Sequence, residues 1–171
     1  HQLLSVFMVA VQIGRSFMIL SMAFYGISYL LTAVFAQESI RPRSRKFTYL
    51  FMALTVFVPS FLAAIRDQVG TDYMSYYYLF EKAKSGVFTD IESGYKGLMW
   101  LVVRLGGDFH VLSFVVMAIT IVFIYAGIVY FKEKIEVGPA LFAYLMLNYQ
   151  QDLNMVRQAA SIAIAFYAFR F

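Results

Sequence analysis

The sequence predicts an all-α polytopic membrane protein: a bundle of four to five transmembrane helices, a fragment of a larger bundle, with an outer-face loop carrying interfacial helices. Three observations predict it. The 171 residues are 61% hydrophobic and only 14% charged, against about 45–50% and about 25% in a soluble domain. Apolar runs of spanning length recur along the chain. Basic residues collect in every second connection between them.

The elements follow in order. His1 to Gly14 is apolar but shorter than the roughly twenty residues that cross about 30 Å of hydrocarbon. It lacks the basic start and cleavage pattern of a signal peptide. Residues 1–17 therefore read as part of another helix, an interfacial segment or added sequence. Ser16 to Ala36 is apolar for a full span. Phe47 to Ile65 is the second span, and its Pro59 is tolerable where neighbouring helices satisfy the freed backbone. Phe109 to Phe131 is the third. Val137 to Tyr149 is short for a span, and Met155 to Phe171 is nearly long enough before the chain stops. Without repeats or linkers, residues 1–171 read as a single transmembrane domain, truncated at its carboxyl-terminal side.

The connections orient the spans. Arg41, Arg43, Arg45 and Lys46 crowd the first one, Lys132 and Lys134 flank Glu133 two crossings later, and Arg170 closes the fifth segment. Lysine and arginine concentrate on the cytoplasmic side, so residues 66–108 and 148–158 fall outside. The long outer connection has two helical patterns. Tyr73, Tyr76, Tyr77 and Phe80 recur at helical spacing on one face, with Lys82 and Lys84 following and Ser85-Gly86 as a stop. Those rings suit headgroup anchoring or stacking on sugars. Tyr95 to Leu105 reads as an in-plane amphipathic helix entering the third span.

Composition also excludes. The net charge of +4 has no basic stripe behind it, so nucleic acid is not a partner. Without cysteine there is no disulfide, thiolate nucleophile or zinc–thiolate site. His1 and His110 are too far apart in sequence to suggest a metal cluster, and no cofactor motif is present.

The polar residues of the outer face carry the chemistry. Arg66 ends the second span and Arg157 lies near the start of the fifth, at one depth on one side. A guanidinium is a planar fork of permanent positive charge suited to phosphate oxygens; the alternative is snorkelling to headgroups. In Asn154-Met155-Val156-Arg157, Asn154 is the expected N-cap, with Asp152 competing, and Arg157 becomes the third helical residue. A cation there opposes the helix dipole unless an anion docks on the free N–H groups. Asp72 and Glu92 share this face, either as caps of the helices they precede or as a general base on a sugar hydroxyl.

These residues fall into three elements in order: Arg66 with Gly70-Thr71-Asp72-Tyr73 and Tyr76, then Glu92, Gly94 and Tyr95, then Asn154, Arg157 and Gln158 followed by Ala159, Ala160 and Ser161. The pattern resembles the EpsG family of Wzy-like bacterial polysaccharide polymerases over roughly residues 18–171, the amino-terminal half of a typical member. The resemblance implies a membrane glycosyltransferase that joins polyprenyl-diphosphate-linked oligosaccharide repeat units into exopolysaccharide, capsule or O-antigen. It would act on the outer face of the bacterial cytoplasmic membrane, without metal or nucleotide. It implies diphosphate binding by Arg66 and Arg157, catalysis by Asp72 or Glu92, and sugar or loop contacts from Gly70, Thr71, Tyr73, Tyr76, Tyr95, Asn154 and Gln158. Partners would be the lipid-linked substrate, the bilayer and other polysaccharide assembly proteins. A flippase for a lipid-linked glycan is the alternative, and a non-catalytic assembly subunit the third; a flippase would need charged residues through the depth of several spans, which the first three lack.

Orientation is testable on intact cells. An impermeant thiol reagent should label Ser85→Cys and spare Ser44→Cys; the reverse pattern would overturn the assigned sidedness.

Overall fold

The computed structural model describes residues 2–41, 44–67, 70–87 and 91–170, with side chains from residue 19 onward. Arg43, Asp90 and Phe171, and Gln68 and Val69 of the glycine-bearing loop, lie outside the described residues. Seven helices make up the described chain: α1 (Gln2–Ser39), α2 (Arg45–Ile65), α3 (Tyr73–Lys84), α4 (Ser93–Arg104), α5 (Phe109–Tyr130), α6 (Val137–Asn154) and α7 (Val156–Ala168). The protein is a polytopic helical membrane protein. Among the described residues, three stretches are long and apolar enough to cross a bilayer: Ile19–Ser39, Arg45–Ile65 and Phe109–Tyr130.

Four sequence expectations change. The helix of the first span extends back to Gln2 as one continuous rod, where a separate segment was expected. Among the described residues, α6 and α7 fall outside the long apolar class. The expected outer loop 148–158 is helix except for Met155. Asn154 is the last residue of α6, Met155 holds the N-cap position of α7, and Arg157 is its second residue rather than its third. The helix runs through this polar stretch because its side chains find partners nearby. The Tyr144 hydroxyl donates to Asp152 Oδ2 at 2.6 Å, and Asn148 Nδ2 to the Tyr144 carbonyl. Satisfied in place, these residues do not compete for the backbone as they would in an isolated peptide.

α5 is the hub, packed along α2 and α7, while α1 packs along α2 and α6. One core joins Tyr29, Leu62, Ile121, Leu145 and Tyr149. Lipid tails are as apolar as leucine, so such helices associate through close packing at small residues. Two glycines mark the closest approaches. A Cβ at Gly138 would lie 2.8 Å from the Ala33 carbonyl oxygen, and one at Gly127 would lie 2.7 Å from Phe166 Cδ1. Gln37 of α1 then closes the start of α6: its Oε1 accepts from the Gly138 N–H at 2.8 Å, and its Nε2 donates to Glu136 at 2.8 Å. The Glu136 side chain makes no cap of its own. The buried hydroxyls of Thr32, Ser60 and Thr120 are turned back onto carbonyls one turn earlier.

The chain alternates between two ends. Arg41, Arg45, Lys46, Lys132, Lys134 and Arg170 lie at one end. The end of α2, α3, α4, the start of α5 and the α6–α7 junction lie at the other. There α3 and α4 fold onto α5 through a second core of Tyr73, Phe80, Tyr95, Met99 and Phe109. The aromatic face expected to meet headgroups or sugars therefore serves mainly as protein core. Tyr73 and Phe80 are buried, and the rings of Tyr73 and Tyr77 stand edge-on to Phe109 at 5.2 and 5.7 Å.

Gly138→Ala should lower the thermal unfolding temperature of the purified protein, by the equivalent of about 1–3 kcal/mol for overpacking. An exposed control on the same helix, Ala143→Ser, should not.

Candidate functional site

The end opposite the basic loops is organised around the interruption between α6 and α7. Carbonyls in the last turn of a helix lack intrahelical partners, and Leu153 lies in that turn. Arg66, one residue beyond α2, donates Nη1 to the Leu153 carbonyl at 2.9 Å across 87 residues of sequence. A cation suits a helix C-terminus. Arg66 is only 6% exposed, so this is no snorkelling side chain. Its guanidinium lies over the Tyr73 ring at 5.2 Å, and its Nε is buried with no partner. Burial pulls its pKa down from the ordinary value, yet arginine stays charged at any working pH.

The glycine loop reaches the same point. Gly70 has φ +104°, a backbone region glycine enters without steric cost. A Cβ there would run into Asn154 Oδ1 and approach Arg66 Nη1 to 3.4 Å. Asn154 thus meets Gly70 and Arg66 although it lies far from both in sequence. Asn154 Oδ1 is itself buried without a partner.

Arg157 stands on the other side of the interruption, in the first turn of α7. Its Nη1 pairs with the Glu92 carboxylate, and its guanidinium lies 5.9 Å from the Tyr76 ring. The two arginines therefore rest on tyrosines one turn apart on α3. Glu92 is held below the usual carboxylate range by its own backbone N–H and by the Arg157 guanidinium. Tyr95 is buried against Tyr76, ring centroids 6.1 Å apart, and burial raises its pKa.

A groove of about 630 Å³ opens beside Arg157, between α4, α5 and α7. Glu92, Arg157 and Gln158 stand at its polar mouth, and Leu98, Val116 and Ile119 wall its apolar depth. Arg66 does not line it. It borders a cleft of about 10 Å³ with Asp152 and Leu153, and a separate groove between α1 and α2. The structure gathers both arginines at one junction but does not aim them into one cavity, because Arg66 is turned onto the carbonyl of Leu153.

The two carboxylates part company as well. Neither Asp72 nor Glu92 makes a side-chain cap on the helix it precedes. Glu92 is taken by Arg157. Asp72 is exposed at the head of α3, beside exposed Thr71. Sequence reasoning weighed His110 only as a metal ligand; its Nδ1 lies 2.6 Å from the Ala64 carbonyl and ties the end of α2 to the start of α5. It also missed Leu153, whose contribution is a backbone atom that no side-chain pattern announces.

The fold and this junction define a helical membrane protein that gathers two arginines and a carboxylate at one end of its bundle. The model of the EpsG family matches residues 48–171, more than half of the chain, and the protein belongs to that family. No curated protein and no solved structure matches the chain.

Gly70→Ala should destabilise the loop by about 1–2 kcal/mol through its backbone region alone, with a further cost from the clash with Asn154. Adding Asn154→Ala should recover part of the loss. A double-mutant cycle on thermal stability measures that coupling, and strict additivity would mean the two residues are independent.

Proposed function

We propose that the protein is a glycosyltransferase that polymerises polyprenyl-diphosphate-linked repeat units into surface polysaccharide, on the outer face of the bacterial cytoplasmic membrane. Membership of the EpsG family supports a polymerase-like role in the membrane. The observation that carries the reading further is the groove beside Arg157: a charged mouth on an apolar slot. That form fits an amphiphile with an anionic head and a hydrocarbon tail.

In the reaction, an acceptor hydroxyl oxygen attacks the anomeric carbon at the reducing end of the growing chain. The carbon–oxygen bond to the diphosphate breaks, and the electron pair leaves with the diphosphate on its polyprenyl carrier. The donor brings its own activated leaving group. Arg157 is placed to neutralise the charge that develops on it. Asp72 suits the hydroxyl proton, since Glu92 is already spent on Arg157 and Asp72 has no capping bond to break. Arg66 supports from below by fixing the last turn of α6, and so the position of α7. Transport of a lipid-linked glycan is less well supported. The buried hydroxyls of Thr32, Ser60 and Thr120 are bonded within their own helices, and those of Ser39, Tyr125 and Tyr149 are spent on contacts between helices, where a polar pathway would need free groups.

Cells that depend on the full-length protein should show two behaviours. Arg157→Ala should lower polymer formation by about two to three decades, the worth of roughly 3–4 kcal/mol of transition-state stabilisation, with little change in thermal stability because its carboxylate partner is largely exposed. Arg66→Ala should lower both activity and stability, because a charged hydrogen bond in a buried site is worth about 1.5–3 kcal/mol. Asp72→Asn should stop polymer while lipid-linked single units accumulate. Polymer at normal length and amount from Arg157→Ala, at normal protein level, would defeat the assignment.

A further inference from the structure

We propose that the ring pair of Phe123 and Tyr167 is the floor of the Arg157 groove and sets how much of a carrier's hydrocarbon tail the protein holds: the stretch next to the diphosphate, and no more. This rests on the reading of the groove as the polyprenyl-diphosphate site, and assigns the residues that end it.

The groove has a top and a bottom on the two long walls that α5 and α7 give it. Glu92, Arg157 and Gln158 stand at the top, and Ile119 and Ile164 are the deepest side chains that line it on α5 and α7. Side chains three or four residues on lie on the same helix face, one turn further along. On α5 that position is Phe123, and on α7 it is Tyr167. Their rings meet edge-on across the gap, with centroids 5.4 Å apart. The Arg170 guanidinium lies over the Tyr167 ring at 3.7 Å. Below the pair, Phe166 presses onto α5 where Gly127 leaves no room for a Cβ. The two helices are closed to each other directly beneath the groove.

The closure limits what fits. α7 rises about 10 Å between Arg157 and Ile164. One leaflet offers about 15 Å of hydrocarbon, so the groove ends short of the bilayer midplane. An extended isoprene unit adds four chain carbons, roughly 5 Å, so the groove takes about two units. The rest of a polyprenyl chain must leave sideways, and the wall is open there: Ile162 and Ile164 line the groove and are 64% and 46% exposed. Hydrocarbon outside the groove stays in lipid and gains nothing from the protein. Only the first units pack against fixed side chains. The protein therefore reads the head-proximal part of its carrier and is indifferent to the carrier's total length.

The test uses the purified full-length protein in phosphatidylcholine nanodiscs. The probes are polyprenyl diphosphates with a photoreactive diazirine on one chosen isoprene unit, and cross-linked residues are located by mass spectrometry. In the wild type, probes on the first and second units should label Leu98, Val116 or Ile119, and a probe on the fourth should label lipid instead. Phe123→Ala removes the floor and adds one helical turn of depth, about 5.4 Å. The deepest unit that labels α5 and α7 should then move from the second to the third. Tyr167→Ala opens the floor from the other helix and should do the same, which keeps the result readable if either variant is unstable. A limit unmoved by the floor variants overturns the proposal, as does wild-type labelling of α5 and α7 by the fourth unit as strong as by the first. Arg157→Ala separates the two levels. If first-unit labelling of the groove persists in it, the diphosphate reading fails and the proposal with it; if that labelling is lost while the floor variants keep the limit at the second unit, only the proposal falls.

Discussion

The bond from Arg66 to the Leu153 carbonyl is the constraint on which the rest of this end of the molecule depends. A buried cation is costly unless paired or hydrogen-bonded. Here the compensation is a helix-end carbonyl at 2.9 Å and an aromatic face at 5.2 Å. Each of these fixes a different element. The carbonyl fixes the last turn of α6, and the ring fixes the start of α3 against the end of α2. Tyr73 in turn packs on Phe109, which fixes the start of α5. One guanidinium thus ties together α2, α3 and α6, with α5 joined through Tyr73. The glycine at position 70 follows from it, because the loop must pass between Arg66 and Asn154 with no room for a Cβ.

Much of the fold was legible because the bilayer imposes it. A span needs about twenty apolar residues, and the second and third spans are seen within a residue or two of where apolar content placed them. α3 begins at Tyr73 and ends at Lys84, before the Ser85-Gly86 stop. That helix was readable since its aromatic period and its glycine terminator agree, two local signals pointing the same way. The α6–α7 region was misread for the opposite reason. Asn148, Asp152 and Asn154 carry strong local preferences for caps and turns, and contacts within α6 and against the glycine loop outweighed them. Tyr144 occupies the Asp152 carboxyl, and the Asn154 side chain sits against Gly70. The interruption shrank from an expected loop to a single residue, and moved the helical position of Arg157 by one.

The site was legible in membership more than in arrangement. Arg66, Gly70 and Asn154 meet, and so do Glu92 and Arg157, but the sequence could not say which arginine would be buried. Both are near helix ends, and both have aromatic residues nearby on α3. What separates them is the partner across the junction. Arg66 meets a carbonyl at the negative end of α6 and is absorbed into the fold. Arg157 lies at the positive end of α7, where the dipole disfavours it, and finds an exposed carboxylate instead.

That difference divides the labour. An interaction that holds structure and one that exchanges ligands call for opposite properties of the same guanidinium. The first must be buried, directional and hard to displace; the second must be half-exposed and held by a partner that lets go. Arg66, at 6% exposure on a backbone carbonyl, has the first set. Arg157, on a carboxylate that is itself mostly in solvent, has the second. Placing the two on either side of a one-residue interruption couples them mechanically, because whatever Arg66 does to the last turn of α6 is transmitted to the first turn of α7. A rigid support beside an exchangeable charge would let the proposed site hold its geometry while a lipid-linked anion arrives and departs.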